Sequence, residues 1–346
     1  MKRYLVLTAL CLMALVSTAN DYRGEGGKYR YEAQKLVEQT FSVDANPILE
    51  MVGKYSDFII TPWDQQQIDF KVKIIVKSND EDKLKAKFNS IDVKFDKFGN
   101  KVTAETVFGD YKYRTFNGSM TIKYYVKVPR DVFMELETKY GDIKVETVAK
   151  KFEVDIKYGD LKADSLLADN SIDIKYGDIN INYVKDLHLE LDYGDAKVRS
   201  CDNIDGELKY SNIYITDLIE GNIENKYSTV RIEKAAKIKF DDAAYSDLKV
   251  SNVTNSLIVD MRYSDLKATF TTLKPIVDID GQYSDATLYI SGDASFDYNL
   301  KSSYSEIIFK GFFDAKSIKG HGSYGAGERG RLDISTAYGD IKINRE

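Results

Sequence analysis

An all-β fold, a right-handed parallel β-helix with coils of about 17–21 residues, follows from three observations. The first is a returning phrase. Tyr140-Gly141-Asp142-Ile143-Lys144-Val145 comes back at Tyr158, Tyr176 and Tyr193, with tyrosines 18, 18 and 17 residues apart. It continues in altered form at Tyr210, Tyr227, Tyr245, Tyr263, Tyr283, Tyr304, Tyr324 and Tyr338, and a lone early copy starts at Tyr55. A fixed period of this size is the mark of a solenoid. The second is parity: Phe152, Val154, Ile156 and Tyr158 alternate with polar residues, as do Leu187, Leu189, Leu191 and Tyr193. Period two places each set on one strand face. The third is the Gly or Ser after each tyrosine, which suits a tight corner between two short strands. Strands stacked coil on coil are parallel, and parallel crossovers are right-handed.

Taken in order, residues 1–20 read as a secretory signal, with Lys2 and Arg3 before the apolar Tyr4 to Val16 and a small-residue zone at Ser17-Thr18-Ala19. The apolar run is too short to span a bilayer. The expected address is therefore exported, in the periplasm or at the surface of a bacterium. Residues 21–47 form a loosely ordered lead-in, and 48–131 a strand-rich part. Within it, carboxylates at Asp80, Glu81 and Asp82 open one short helix over about 80–91, with Leu84, Phe88 and Ile91 on one face. That helix is expected to lie as a lid on the first coil. Pro129-Arg130-Asp131 marks the boundary to the repeat array of residues 132–346.

Loss of Lys2 and Arg3 with the leader takes the net charge from −6 to −8, which argues against nucleic acid. Only Cys201 lies beyond the leader, so no intrachain disulfide forms. Cys201 reads as a small buried filler.

The lead strand, the Trp63-Asp64 turn, the Val128-Pro129 step and the Gly-Asp-Ile-x-Val repeats such as Gly141–Val145 resemble adhesin-like domains of bacterial envelope proteins. The resemblance covers roughly residues 48–346. It implies a β-helical head and carries no catalytic residues. The recurring tyrosine departs from the looser repeat of that family.

The tyrosine column (Tyr140, Tyr158, Tyr176, Tyr193, Tyr210, Tyr227, Tyr245, Tyr263, Tyr283 and Tyr304) is the candidate structural ladder or binding stripe. Its parity suggests rings packed inward or at the corner, each above its neighbour; the functional alternative is a stripe that docks sugars. The aspartates two residues on, Asp142, Asp160, Asp178, Asp195, Asp247, Asp265, Asp285 and Asp340, could invite calcium. The cations two residues further, such as Lys144 and Lys162, are expected to neutralise them instead. No metal or cofactor is expected. His188 and His321 are far apart and suggest no catalytic set. Gly320-His321-Gly322-Ser323-Tyr324-Gly325 matches a dinucleotide fingerprint but precedes no helix, and reads as a flexible loop. Nothing covers the C-terminal end, where Tyr338 is expected near the open edge.

These readings imply a non-enzymatic, monomeric envelope module that binds a surface glycan or envelope protein. The alternatives are a structural protein without ligand and a polysaccharide-active β-helix enzyme.

Overall fold

The computed structural model describes residues 28–313 and 318–346, so the expected leader lies outside the described residues. The chain separates into two compact units, up to Lys162 and from Ala163. Both contain parallel β-coils, as the repeats predict, and the first also holds antiparallel pairs over residues 31–127.

In the first unit the strands are β1 (Tyr31–Ser42), β2 (Ile48–Lys54), β3 (Ser56–Trp63) and β4 (Gln67–Ser78). Helix α1 (Glu81–Asn89) follows, then β5 (Ile91–Phe98), β6 (Lys101–Phe108), β7 (Gly118–Pro129), β8 (Phe133–Lys139), β9 (Ile143–Val148) and β10 (Phe152–Lys157). One layer runs β1-β4-β7-β3-β9 and the other β5-β6-β2-β8-β10. Their inner residues meet, Phe70 of β4 lying 5.0 Å from Phe95 of β5, and within the first layer Phe58 crosses its strand neighbour Tyr124 edge-on at 5.3 Å.

Three expectations change here. The lead-in is not loose, because residues 31–42 pair along their whole length with β4. The Tyr55 coil does not stand apart, because β2 and β3 pair directly with β8 and β9. The helix starts where Asp80 accepts the Lys83 N–H as N-cap. However, it packs on β1, β4 and β5, and the pairs β6/β7 and β5/β4 intervene between it and the Tyr55 coil.

The second unit continues with β11 (Leu161–Lys175), β12 (Ile179–Asp192), β13 (Asp195–Lys209), β14 (Asn212–Lys226), β15 (Thr229–Ala244) and β16 (Asp247–Arg262). Each of these runs unbroken from one tyrosine corner to the next, so the looser return expected from the repeat is itself strand. Burial parity shifts twice inside β13: Ala196 and Val198 point in, then Cys201, then Ile204 and Leu208. Those two shifts bend the strand around the core. Cys201 sits between Val184 and Leu218 in the stack, and burial pushes its thiol up to about 12.

Later coils are shorter and cross over: β17 (Asp265–Phe270), β18 (Ile276–Gln282), β19 (Asp285–Ile290), β20 (Phe296–Ser303), β21 (Ile307–Lys310), β22 (Gly320–Tyr324), β23 (Gly330–Ala337) and β24 (Ile341–Arg345). The C-terminal coil is not at an open edge. β23 pairs with both β18 and β20, and β24 with both β19 and β21, so the last coil in sequence is inserted between two earlier ones. Residues 320–324 are likewise not a free loop but pair antiparallel with β20. Tyr324, whose phrase looks like a corner, lies in that strand. Beside it Phe296, Phe309, Phe312 and Phe313 form an aromatic cluster at the outermost coil.

One interior residue is out of place. Asn225 is 1% exposed, next to Leu208 in the inward stack, and neither polar atom of its side chain has a partner. An unpaired buried amide costs about 1–3 kcal/mol. Replacement Asn225→Leu is expected to raise stability by about 1 kcal/mol or more, read as a higher denaturant midpoint with unchanged slope. A lower midpoint would show that the amide has a partner.

Candidate functional site

The corner between two strands is where sequence and backbone meet most sharply. Twelve tyrosines, at positions 55, 140, 158, 176, 193, 210, 227, 245, 263, 283, 304 and 338, all have positive φ, between 51° and 61°. For a residue with a Cβ, that left-handed conformation costs about 1–2 kcal/mol. It turns the tyrosine side chain outward, against the parity of the preceding strand. Of the two placements expected, inward or at the corner, the rings take the corner, 40–52% exposed, with Tyr304 at 83%.

The stacking half of the expectation holds. In the first unit Tyr55, Tyr140 and Tyr158 stack at 5.0 Å between centroids. In the second, Tyr176, Tyr193, Tyr210, Tyr227, Tyr245, Tyr263, Tyr283, Tyr338 and Tyr304 follow one another at 4.8–5.1 Å, within 8° of parallel. Tyr338 is interior to that order, and Tyr304 ends it. Each such pair adds about 0.5–1.5 kcal/mol beyond burial, enough to offset the left-handed backbone. Ring faces are thus taken up by neighbouring rings, and edges and hydroxyls are what the stripe presents to solvent.

The inward place at the corner goes to the next residue. A Cβ on Gly159 would lie 2.0 Å from the Gly141 carbonyl oxygen, so that coil accepts only glycine. From Ser211 to Ser284 a buried serine ladder replaces it, and Gly339 takes the place again in the inserted coil. Ser264 Oγ donates to the Arg262 carbonyl at 2.9 Å and accepts the Ser246 N–H at 3.0 Å, and Ser284 does the same for Ser264. This ladder satisfies backbone groups that the turn takes out of the sheet.

The aspartate column is held by backbone hydrogen bonds from coil to coil. Asp142 Oδ1 accepts the Asp160 N–H at 3.0 Å, Asp178 the Asp195 N–H at 2.9 Å, and Asp285 the Asp340 N–H at 2.7 Å. An ion pair does reach Asp57, from Lys123 at 3.2 Å. Cations flank the tyrosines on the other side, where Lys175 pairs with Asp192 at 2.8 Å and Lys226 with Asp242 at 3.0 Å. Lys226 and, more strongly, Arg262 hydrogen-bond Asp242 and hold its carboxyl below the usual range. No group of His, Cys, Asp or Glu with metal-ligand geometry occurs among the described residues. His188 lies outward between Glu190 and Asp205, and His321 is in β22. No described helix is long and apolar enough to cross a membrane.

Sequence reasoning found the tyrosines, the glycines and the aspartates, but missed the serine ladder. The alternation of Gly with Ser after tyrosine was its only signal.

Solved structures that the chain resembles include a protein of Clostridium sporogenes provisionally named a cell adhesion protein, at 12% identity and TM-score 0.20, covering 90% of this chain and 100% of that one. A provisional lipid-binding protein of Parabacteroides distasonis gives 10% and 0.36, covering 90% and 96%. A provisional adhesin of Bacteroides fragilis gives 12% and 0.27, covering 89% and 97%. No curated protein matches the chain. The Toastrack DUF4097 family matches twice, over residues 45–213 and 184–344, which together take in nearly all of the described coils. The chain belongs to the Toastrack DUF4097 family.

Proposed function

We propose that this chain is an exported cell-envelope binding module, adhesion-like in role, that presents rigid solenoid corners to a polymer or protein partner and carries out no catalysis. The partner is a surface glycan or an envelope protein, and the module acts as a monomer. The observation that carries this reading is the tyrosine stripe. Glycine or asparagine would occupy a left-handed corner at lower conformational cost, yet tyrosine stands at all twelve, with its edge and hydroxyl in solvent. A strained backbone repeated at exposed side chains supports a role for those side chains.

Ring-on-ring stacking favours a second reading, a structural envelope protein without ligand, because it uses the ring faces internally. One variant separates the two. Tyr210→Asn, Tyr227→Asn and Tyr245→Asn combined keep residues that tolerate positive φ and remove three adjacent rings. The purified chain from residue 21 onward is tested on a glycan array and on isolated bacterial envelope fractions. The binding reading expects capture by the unaltered chain and its loss in the variant, with the circular dichroism spectrum unchanged. Equal capture by both chains, or none by either, supports the structural reading.

A further inference from the structure

Charge is divided unevenly along the chain. Residues 163–346 hold 22 Lys and Arg against 31 Asp and Glu, whereas residues 28–162 hold 24 against 22. Within the first unit the cations are concentrated beside aromatic rings. Lys87 of α1 places Nζ 5.0 Å from the Phe108 ring centre and 5.4 Å from that of Tyr111. Phe108 in turn meets Tyr55 edge-on at 6.1 Å, and Tyr55 stacks on Tyr140. Lys54 lies 5.6 Å over Tyr55, and Lys139 lies 5.2 Å over Tyr140. The row continues sideways through the loop after β6, where Tyr111 touches Tyr113 and both Lys83 and Lys112 approach the Tyr113 ring.

Two features mark this surface. Among the described residues, Lys54, Lys87, Lys112 and Lys139 form no ion pair, and each lies within 5.6 Å of an aromatic ring centre. Lys54 and Lys87 also repel each other: partial burial first, and the Lys54 charge second, lower the Lys87 ammonium below its ordinary value. Uncompensated cations held together in an acidic protein favour an anionic partner. The aromatic groups follow one another along successive coils, Phe108, then Tyr55, Tyr140 and Tyr158, in a line one ring wide. A line of phenol edges and ammonium groups matches an extended chain better than a flat membrane, which would call for apolar side chains to insert.

We propose that this lysine–aromatic row in the first unit binds a linear anionic polysaccharide, its acidic groups taken by Lys54, Lys87 and Lys139 and its sugar rings lying against Tyr55, Phe108 and Tyr140. The proposal rests on the binding reading above and names the partner class for one part of the surface.

The test uses the chain from residue 21 onward and polygalacturonate as probe, with neutral dextran and phosphatidylglycerol vesicles in parallel, measured by biolayer interferometry. Polygalacturonate is expected to bind despite the net negative charge of the protein, and to weaken steeply with salt. Lys54→Gln with Lys139→Gln, both exposed, is expected to lower affinity at least tenfold with no change in melting temperature. Lys249→Gln with Lys267→Gln, a matched pair in the second unit, is expected to leave it unchanged. Affinity that is insensitive to Lys54 and Lys139, equal binding of dextran, or binding of vesicles alone overturns the proposal. If polygalacturonate fails while the triple tyrosine variant still loses partner capture, this inference falls and the broader binding reading stands. If neither assay detects binding, both fall.

Discussion

Gly159→Ala is expected to be the most destabilising single-methyl change in the first unit, at about 3 kcal/mol or more. The added Cβ would sit 2.0 Å from a backbone oxygen of the coil below and 2.7 Å from its carbonyl carbon, and neither belongs to a flexible side chain. Relief requires separating two coils that are hydrogen-bonded on both sides of the corner, as in Tyr140 N–H to Lys157 O at 2.8 Å and Ile143 N–H to Asp160 O at 2.8 Å. Losses above about 3 kcal/mol come from a short list of mechanisms, and overpacking against backbone is one of them. Gly99→Ala is the control: its Cβ would meet nothing within 4 Å, so it carries only the cost of a positive φ. Chemical denaturation of both variants measures the difference. Similar losses at the two glycines would show that the coils can separate freely and that the corner is not closely packed.

The second large effect is expected in the serine ladder. Ser264→Ala removes the acceptor of the buried Ser246 N–H, whereas the Arg262 carbonyl that also loses the Ser264 hydroxyl still accepts the Tyr245 N–H at 3.0 Å. A buried group left without a partner costs about 1–3 kcal/mol, and a loss in that range is expected. Ser305 makes the same pair of bonds, donating to the Ser303 carbonyl at 2.9 Å and accepting the Gly339 N–H at 3.1 Å. It is only half-buried, so water can replace its hydroxyl, and Ser305→Ala is expected to cost under half as much. Equal melting shifts for the two variants would remove the ladder from the account.

The coil itself was legible from spacing and parity, because a solenoid repeats the same burial problem at each turn. What side-chain spacing cannot reveal is the sign of φ. Tyr158 shares parity with Phe152, Val154 and Ile156 and would face inward in a straight strand, yet its φ of 61° rotates it out and gives the interior to Gly159. The inserted last coil was hidden for another reason. The uneven spacings of 21, 20 and 14 residues before Tyr338 signal a change in path, but pairing partners are chosen by three-dimensional packing. Placing β23 between β18 and β20 buries Leu332 and Ile334 on both sides, which a terminal position would not. The strand β1 was obscured by its composition: Glu32, Gln34, Lys35, Glu38 and Gln39 make it polar, and its pairing with β4 supplies the order that apolar alternation does not. The aspartates were legible as a column, but the backbone N–H donors that hold Asp142, Asp178 and Asp285 leave no trace in residue identity.

The central claim is that tyrosine occupies a left-handed, outward-facing corner and is kept there by its ring. The stability order of Tyr193→Gly and Tyr193→Ala tests it most directly. Tyr193 has φ of 57° and stacks on Tyr176 at 4.9 Å and Tyr210 at 5.0 Å. Both variants lose two stacked pairs, about 1–3 kcal/mol in all. Alanine keeps the left-handed penalty and glycine does not, so the account predicts that Tyr193→Gly is more stable than Tyr193→Ala by about 1 kcal/mol. An alanine variant as stable as the glycine variant, or more so, would be the normal order for a strand and would contradict the claim.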